Sequence, residues 1–156
     1  MTFYLLLKAV HVLCVVLWVG GMAFAHFCLR PAVVALEPPL RLRLLHAVLQ
    51  RFFTLVLGAT ALLVLSGLWM IGRVAKQAVQ GGGNFSWPPD WLLMTVVGLF
   101  MVALFGHIRF VLFKRLQRAV AAADWPTAGT AMAAIRRWVG VNLALGLALI
   151  PAVYLL

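Results

Sequence analysis

The chain has 156 residues, 65% of them hydrophobic and only 10% charged, with a mean hydropathy of +1.08. A soluble domain carries about 45–50% apolar and about 25% charged residues, so this composition excludes one and describes an integral membrane protein. The net charge of +10 does not argue for nucleic acid as a partner, because the lysines and arginines gather at the ends of apolar runs, where they set membrane orientation.

The length allows one domain, residues 1–156, with four spans over about residues 2–29, 52–71, 92–113 and 138–155. The first run, Lys8 to Arg30, reads KAVHVLCVVLWVGGMAFAHFCLR. It holds two histidines, His11 and His26, and ionisable side chains inside a span usually face the bundle interior and mark a functional site. His11, Cys14, Trp18, Gly21, Ala25 and Cys28 recur at three- and four-residue steps and are predicted to share a face. His26 lies about 60° around from His11. Cys14 and Cys28 stand about 21 Å apart on a helix, too far for a mutual disulfide, and read as small packing residues. Ala23-Phe24-Ala25 imitates a signal-peptide cleavage site, but the run is expected to be retained as a span. Pro31 is expected to weaken the helix there.

Residues 32–50 read as a connection. Glu37-Pro38-Pro39 makes a turn, and LRLRLLHAVLQRFF restarts as a basic amphipathic helix running into span two. Arg41, Arg43 and Arg51 suit anionic headgroups, and His46 reads as an interfacial histidine. Span two carries Gly58, Ala59, Ala61, Ser66 and Gly67, small residues suited to close packing. The run GGGNFSWPPDW cannot continue a helix and forms a loop, with Trp87 and Trp91 in the interfacial aromatic belt. Span three carries His107 and ends in Arg109, Lys114, Arg115 and Arg118; Lys114, seven residues on, is expected on a similar face to His107. Asp124-Trp125-Pro126 has the form of a helix start, with Asp124 as N-cap. On span four, Gly140, Ala144 and Ala148 form a small-residue stripe, and Asn142 is a buried amide suited to an interhelical hydrogen bond.

Ten of the thirteen basic residues flank the two connections that join spans one to two and three to four; only Lys8, Arg73 and Lys76 lie toward the other side. The positive-inside rule then predicts an inner-membrane protein with both termini in the periplasm.

Two metal-centre readings arise from side-chain depth. His26 lies four residues from Arg30 and His107 seven from Lys114, a mismatch of about 4.5 Å that helix tilt can absorb. The two imidazoles could therefore serve as axial ligands of a b-type haem, with Arg30, Arg109, Lys114, Arg136 and Arg137 near its propionates. Against this stands the bland reading of an interfacial His26 and a packing His107. Toward the other membrane face lie His11, Cys14, Met70 and Met94, soft and imidazole ligands of the kind that suit Cu(I); methionine is equally ordinary filler in an apolar bundle. No hydrolase constellation is present, since Glu37, Asp90 and Asp124 are the only carboxylates and no two of them pair.

The pattern His11-x6-Trp18-x-Gly20-Gly21, followed by Leu29-Arg30-Pro31-Ala32, resembles the first span of CopD-like membrane proteins. So do Ser66-Gly67-Leu68-Trp69-Met70, the His107 region with its basic tail, Asp124-Trp125-Pro126, and Ile135-Arg136-Arg137-Trp138-Val139-Gly140-Val141-Asn142-Leu143. The resemblance runs through all four spans in order, and it implies copper resistance or copper uptake across the inner membrane. His11, Trp18 and Gly21 also match the more distant HemJ-type protoporphyrinogen oxidase, a haem-b-associated enzyme. That family has a Tyr-Leu-Pro-Arg run where this chain reads Phe24-Ala25-His26-Phe27.

The expected fold is thus all-α: an integral membrane four-helix bundle with short loops and amphipathic interfacial helix extensions. The leading expectation is a b-type haem held by His26 and His107, with His11 at a second site, serving electron transfer or haem-linked oxidoreductase chemistry. Copper binding or transport through His11, Cys14, Met70 and Met94 is the alternative, and a cofactor-free assembly subunit the third. The small-residue stripes suit a homodimer or a membrane redox partner as well as packing within one chain.

Overall fold

The computed structural model describes residues 2–156. Four long helices cross the membrane-sized dimension: α1 (Phe3–Ala32), α2 (Pro38–Gln80), α3 (Pro89–Ala121) and α4 (Trp125–Leu155). At 43 residues, α2 is about 64 Å long, roughly twice the thickness of a hydrocarbon core. Its first turns therefore stand in the interface, as the alternation of arginine and leucine from Leu40 to Arg43 requires. The basic end of the bundle holds the α1–α2 and α3–α4 connections, and the terminal end lies opposite it.

The helix ends obey local chemistry. Asp124 caps α4 by accepting from the Thr127 backbone N–H at 3.1 Å. Hydrogen bonds from the Thr127 side chain and then its backbone hold the Asp124 carboxyl below its ordinary value, because both favour the charged form. Two helices end in the same motif. After α2, Gly82 N–H bonds Val79 C=O and Gly83 N–H bonds Ala78 C=O, with Gly82 at φ 79°. After α3, Ala123 N–H bonds Val120 C=O and Asp124 N–H bonds Ala119 C=O, with Ala123 at φ 54°. Both are Schellman caps, which need a left-handed residue; glycine supplies it without strain in the first and alanine is forced into it in the second.

Helix α1 packs chiefly on α2 and α3 on α4, and α4 also touches α1 and α2. The core is aromatic. Trp18 meets Phe105 edge-on with ring centroids 6.0 Å apart, Phe105 meets Phe53 at 5.8 Å, and Phe53 meets Phe113 at 5.3 Å. His46 stacks on Phe113 with ring centroids 5.3 Å apart. Phe53, Phe113, Leu116 and Ile108 are sealed from the exterior, so the tightest packing lies toward the basic end. Asn142 is buried, and its Nδ2 donates to the Met101 carbonyl of α3 at 3.4 Å, the interhelical bond expected of it.

Glycine sets the closest approaches. A Cβ on Gly146 would stand 2.9 Å from Val19 Cγ2 and 3.1 Å from Met101 Cε, and one on Gly21 would collide with the Phe52 ring. The expected small stripe on span four is not the packing stripe. Ala144 and Ala148 are exposed, whereas Ile135, Val139, Asn142 and Gly146 face inward, because the buried face tracks the contacts with α1 and α3.

Pro31 does not end α1, which continues to Ala32. A π-helical turn, Ala25–Leu29, precedes it, with the Arg30 N–H bonding Ala25 C=O five residues back. A proline ring clashes with the carbonyl four residues earlier, and the wider turn gives that carbonyl room. A second π-helical turn, Ile108–Leu112, interrupts α3 directly after His107. Each wide turn rotates the remainder of its helix by about 100° relative to a regular one. Cys28 is consequently exposed while Cys14 is buried, and the seven-residue step from His107 to Lys114 no longer keeps one face.

Ala123→Gly is expected to stabilise the protein and Gly82→Ala to destabilise it, each by about 1 kcal/mol, as opposite shifts of the thermal midpoint in detergent. Gly146→Ala should cost about 1–3 kcal/mol, since Val19 is stiff. Gly20→Ala, with nothing within 4 Å of the new methyl, should leave the midpoint unchanged or raise it, in the same melting assay.

Candidate functional site

The polar contact that joins α1 to α2 toward the terminal end is between His11 and Ser66. His11 Nδ1 lies 2.9 Å from Ser66 Oγ. Ser66 Oγ is also 2.6 Å from the Leu62 carbonyl oxygen and 3.2 Å from that of Leu63. A hydroxyl has one hydrogen, and at 2.6 Å from a carbonyl oxygen it must point there. Ser66 Oγ therefore accepts from His11, so Nδ1 carries the ring hydrogen and Nε2 of the neutral imidazole keeps its lone pair. This is the arrangement that orients a metal-ligating histidine through its second nitrogen. Gly67 gives the ring its place, with His11 Cε1 3.5 Å from where a Cβ there would stand.

Soft side chains lie on either side of that contact. Met70 is buried four residues beyond Ser66 on α2, on the same face and about 6 Å nearer the terminal end. Cys14 is buried three residues beyond His11 on α1, about 4.5 Å the other way. Met94 is half-buried on α3, whose stretch Pro89–His107 packs chiefly on α4, so it is not drawn into the α1–α2 contact. Among the described residues no three histidine, cysteine or acidic side chains gather into a group that could hold a metal ion. What the donor set offers is one oriented imidazole, a thioether and a thiol, which fits Cu(I) and not a hard cation.

At the basic end the two remaining span histidines part. His26 sits in the first π-helical turn, with its Cε1 3.7 Å from where a Cβ on Gly140 would stand. His107 is exposed and meets the Trp138 ring edge-on at 6.2 Å. Trp138 and Gly140 are two residues apart, about 200° around α4, so the imidazoles approach that helix from opposite sides. The residues present do not fit a haem ligated between His26 and His107. Of the expected propionate partners only Arg30 and Arg136 stay beside His26, and the other three lie elsewhere. Arg109 lies over the Phe113 and Phe110 rings at 5.3 and 5.9 Å, Arg137 over Trp138 at 5.8 Å, and Lys114 is exposed.

His26 and Arg30 instead line a cavity of about 370 Å³ between the end of α1, the start of α2 and the first half of α4. Arg41 and Arg136 line it too. Reading spans singly could not pair these residues, because they come from three helices. Ser66 also escaped as a functional residue. The available signal was a hydroxyl in an apolar span opposite a histidine, and it reads equally as packing.

A family model described as copper resistance protein D matches residues 46–156. That stretch covers most of α2 and all of α3 and α4, while His11, Cys14 and His26 of α1 precede it. No curated protein and no solved structure matches the chain significantly. With well over half its length in the match and four helices long and apolar enough to cross a membrane, the chain belongs to the CopD family of multi-pass membrane proteins.

Proposed function

We propose that the protein binds Cu(I) between α1 and α2 and serves copper movement across the bacterial inner membrane. His11 is the primary ligand through Nε2, Met70 supplies a thioether, and Cys14 offers a thiol on the other side. The observation that carries this reading is the His11–Ser66 hydrogen bond at 2.9 Å, which favours the Nδ1–H tautomer and so supports Nε2 as the ligating nitrogen. Membership of a family named for copper resistance supports the choice of metal. So does the absence of any carboxylate in the four helices away from their ends, since Glu37, Asp90 and Asp124 all lie at or just outside helix starts. The orientation proposed is that of the positive-inside rule, with both termini in the periplasm and the basic end in the cytoplasm. The copper ligands then lie toward the periplasmic face.

The test is Cu(I) retention by the detergent-purified protein against a chromophoric chelator. His11→Ala should weaken binding at least about tenfold, and Ser66→Ala, which removes only the orienting partner, should weaken it by about tenfold or more. Met70→Leu, which keeps the volume, should also weaken it, whereas His46→Ala should not. Wild-type copper affinity in both His11→Ala and Met70→Leu would overturn the proposal.

A further inference from the structure

The cavity at the basic end is built from two kinds of surface. Its lining joins the apolar Leu29, Leu45, Leu49 and Val139 to the basic Arg30, Arg41 and Arg136 and to His26. The chain has three carboxylates, Glu37, Asp90 and Asp124, and none of them lines the cavity. Arg41 donates to the Val34 carbonyl at 3.4 Å, which places the side chain without neutralising it. Three like charges around about 370 Å³, backed by low-dielectric helix packing, repel one another unless an anion lies between them. A guanidinium is the side chain best matched to a phosphate, which it binds through paired N–H groups.

The position of the cavity selects the source of that phosphate. The arginines stand where α1 leaves the apolar span and α2 enters it, at headgroup depth. The apolar wall runs from there toward the membrane interior: Leu49 is eight residues beyond Arg41 on α2, about 12 Å deeper. Val34, Leu40 and Leu44 are exposed near the same arginines, offering an apolar path from the bilayer. A free phosphate would use the arginines and leave the wall bare, whereas a phospholipid uses both.

We infer that this cavity is a binding site for one anionic glycerophospholipid, its phosphate held by Arg30, Arg41 and Arg136 and an acyl chain lying along the apolar wall between α2 and α4. The site is separate from the residues proposed for copper and does not depend on that reading. Lipid held there ties the end of α1 to the start of α2 and the first half of α4.

The experiment is native mass spectrometry of the full chain from neutral detergent, titrated with phosphatidylglycerol, phosphatidylcholine or inorganic phosphate. The wild type should retain one phosphatidylglycerol at least ~10-fold more tightly than phosphatidylcholine, a difference of about 1.4 kcal/mol. The triple variant Arg30→Gln, Arg41→Gln, Arg136→Gln should lose that preference. The charge-matched control Lys114→Gln, Arg115→Gln, Arg118→Gln, altering exposed residues outside the cavity, should keep it. Gly129→Leu keeps every charge and fills the apolar wall, where Gly129 now leaves open space. It should abolish lipid retention even if the triple variant fails to fold. Equal loss in the control, no preference in the wild type, or lipid retention unchanged in Gly129→Leu would each overturn the inference. Inorganic phosphate competing as well as phosphatidylglycerol would reduce the site to a bare anion pocket and overturn the lipid assignment.

Discussion

Everything in this bundle depends on how closely the helices approach at Gly146. Lipid is as apolar as leucine, so a membrane helix gains nothing from the hydrophobic effect by leaving lipid for its neighbour. Dispersion contacts must supply the attraction, and these fall off within a fraction of an ångström. At Gly146 the missing side chain lets Val19 of α1 and Met101 of α3 reach the α4 backbone together. Four residues away on the same helix, Asn142 donates to the Met101 carbonyl, a polar tie that has no water to compete with it in hydrocarbon. The aromatic series Trp18, Phe105, Phe53 and Phe113 then fills the space between the helix pairs on the side toward the basic end.

That distribution of packing divides the molecule by role. Toward the basic end large rings fill the space between the helix pairs, and the arginine-lined cavity lies beside them, between α1, α2 and α4. Toward the terminal end the α1–α2 seam is held by the His11–Ser66 hydrogen bond and by the edge-on contact of Phe3 with Trp69 at 5.2 Å, with Gly67, Met70 and Cys14 near the histidine. The buried Met70 and Cys14 on either side of His11 are polarizable groups, as the proposed copper site requires.

The two π-helical turns explain why histidines of similar depth have separate surroundings. A wide turn at Ala25–Leu29 aims His26 at Gly140 and the arginine-lined cavity, and one at Ile108–Leu112 comes directly after His107, which lies by Trp138. Such turns cluster at functional positions in helices. In α1 the wide turn also accommodates Pro31. The second has no proline directly after it.

Much of the fold was legible in the sequence because it is written locally. Four apolar runs, the cap at Asp124, the glycine-rich loop after α2 and the division of basic residues between the two ends all arise from chain length, side-chain transfer energies and short-range hydrogen bonds. The sequence by itself determined that this is a four-helix membrane protein and which residues could do chemistry: four histidines, two cysteines and a few methionines and arginines. Only the tertiary structure decided which of them meet. Depth along a span can be counted, but rotation about the helix axis cannot be carried past a π-helical turn, and so Cys28, Lys114 and the His26–His107 pairing did not fall where regular helices would put them. Partners on other helices are set by packing at glycines, a long-range property that no single span contains. Ser66 beside His11, and Arg30, Arg41 and Arg136 around one cavity, came from that packing.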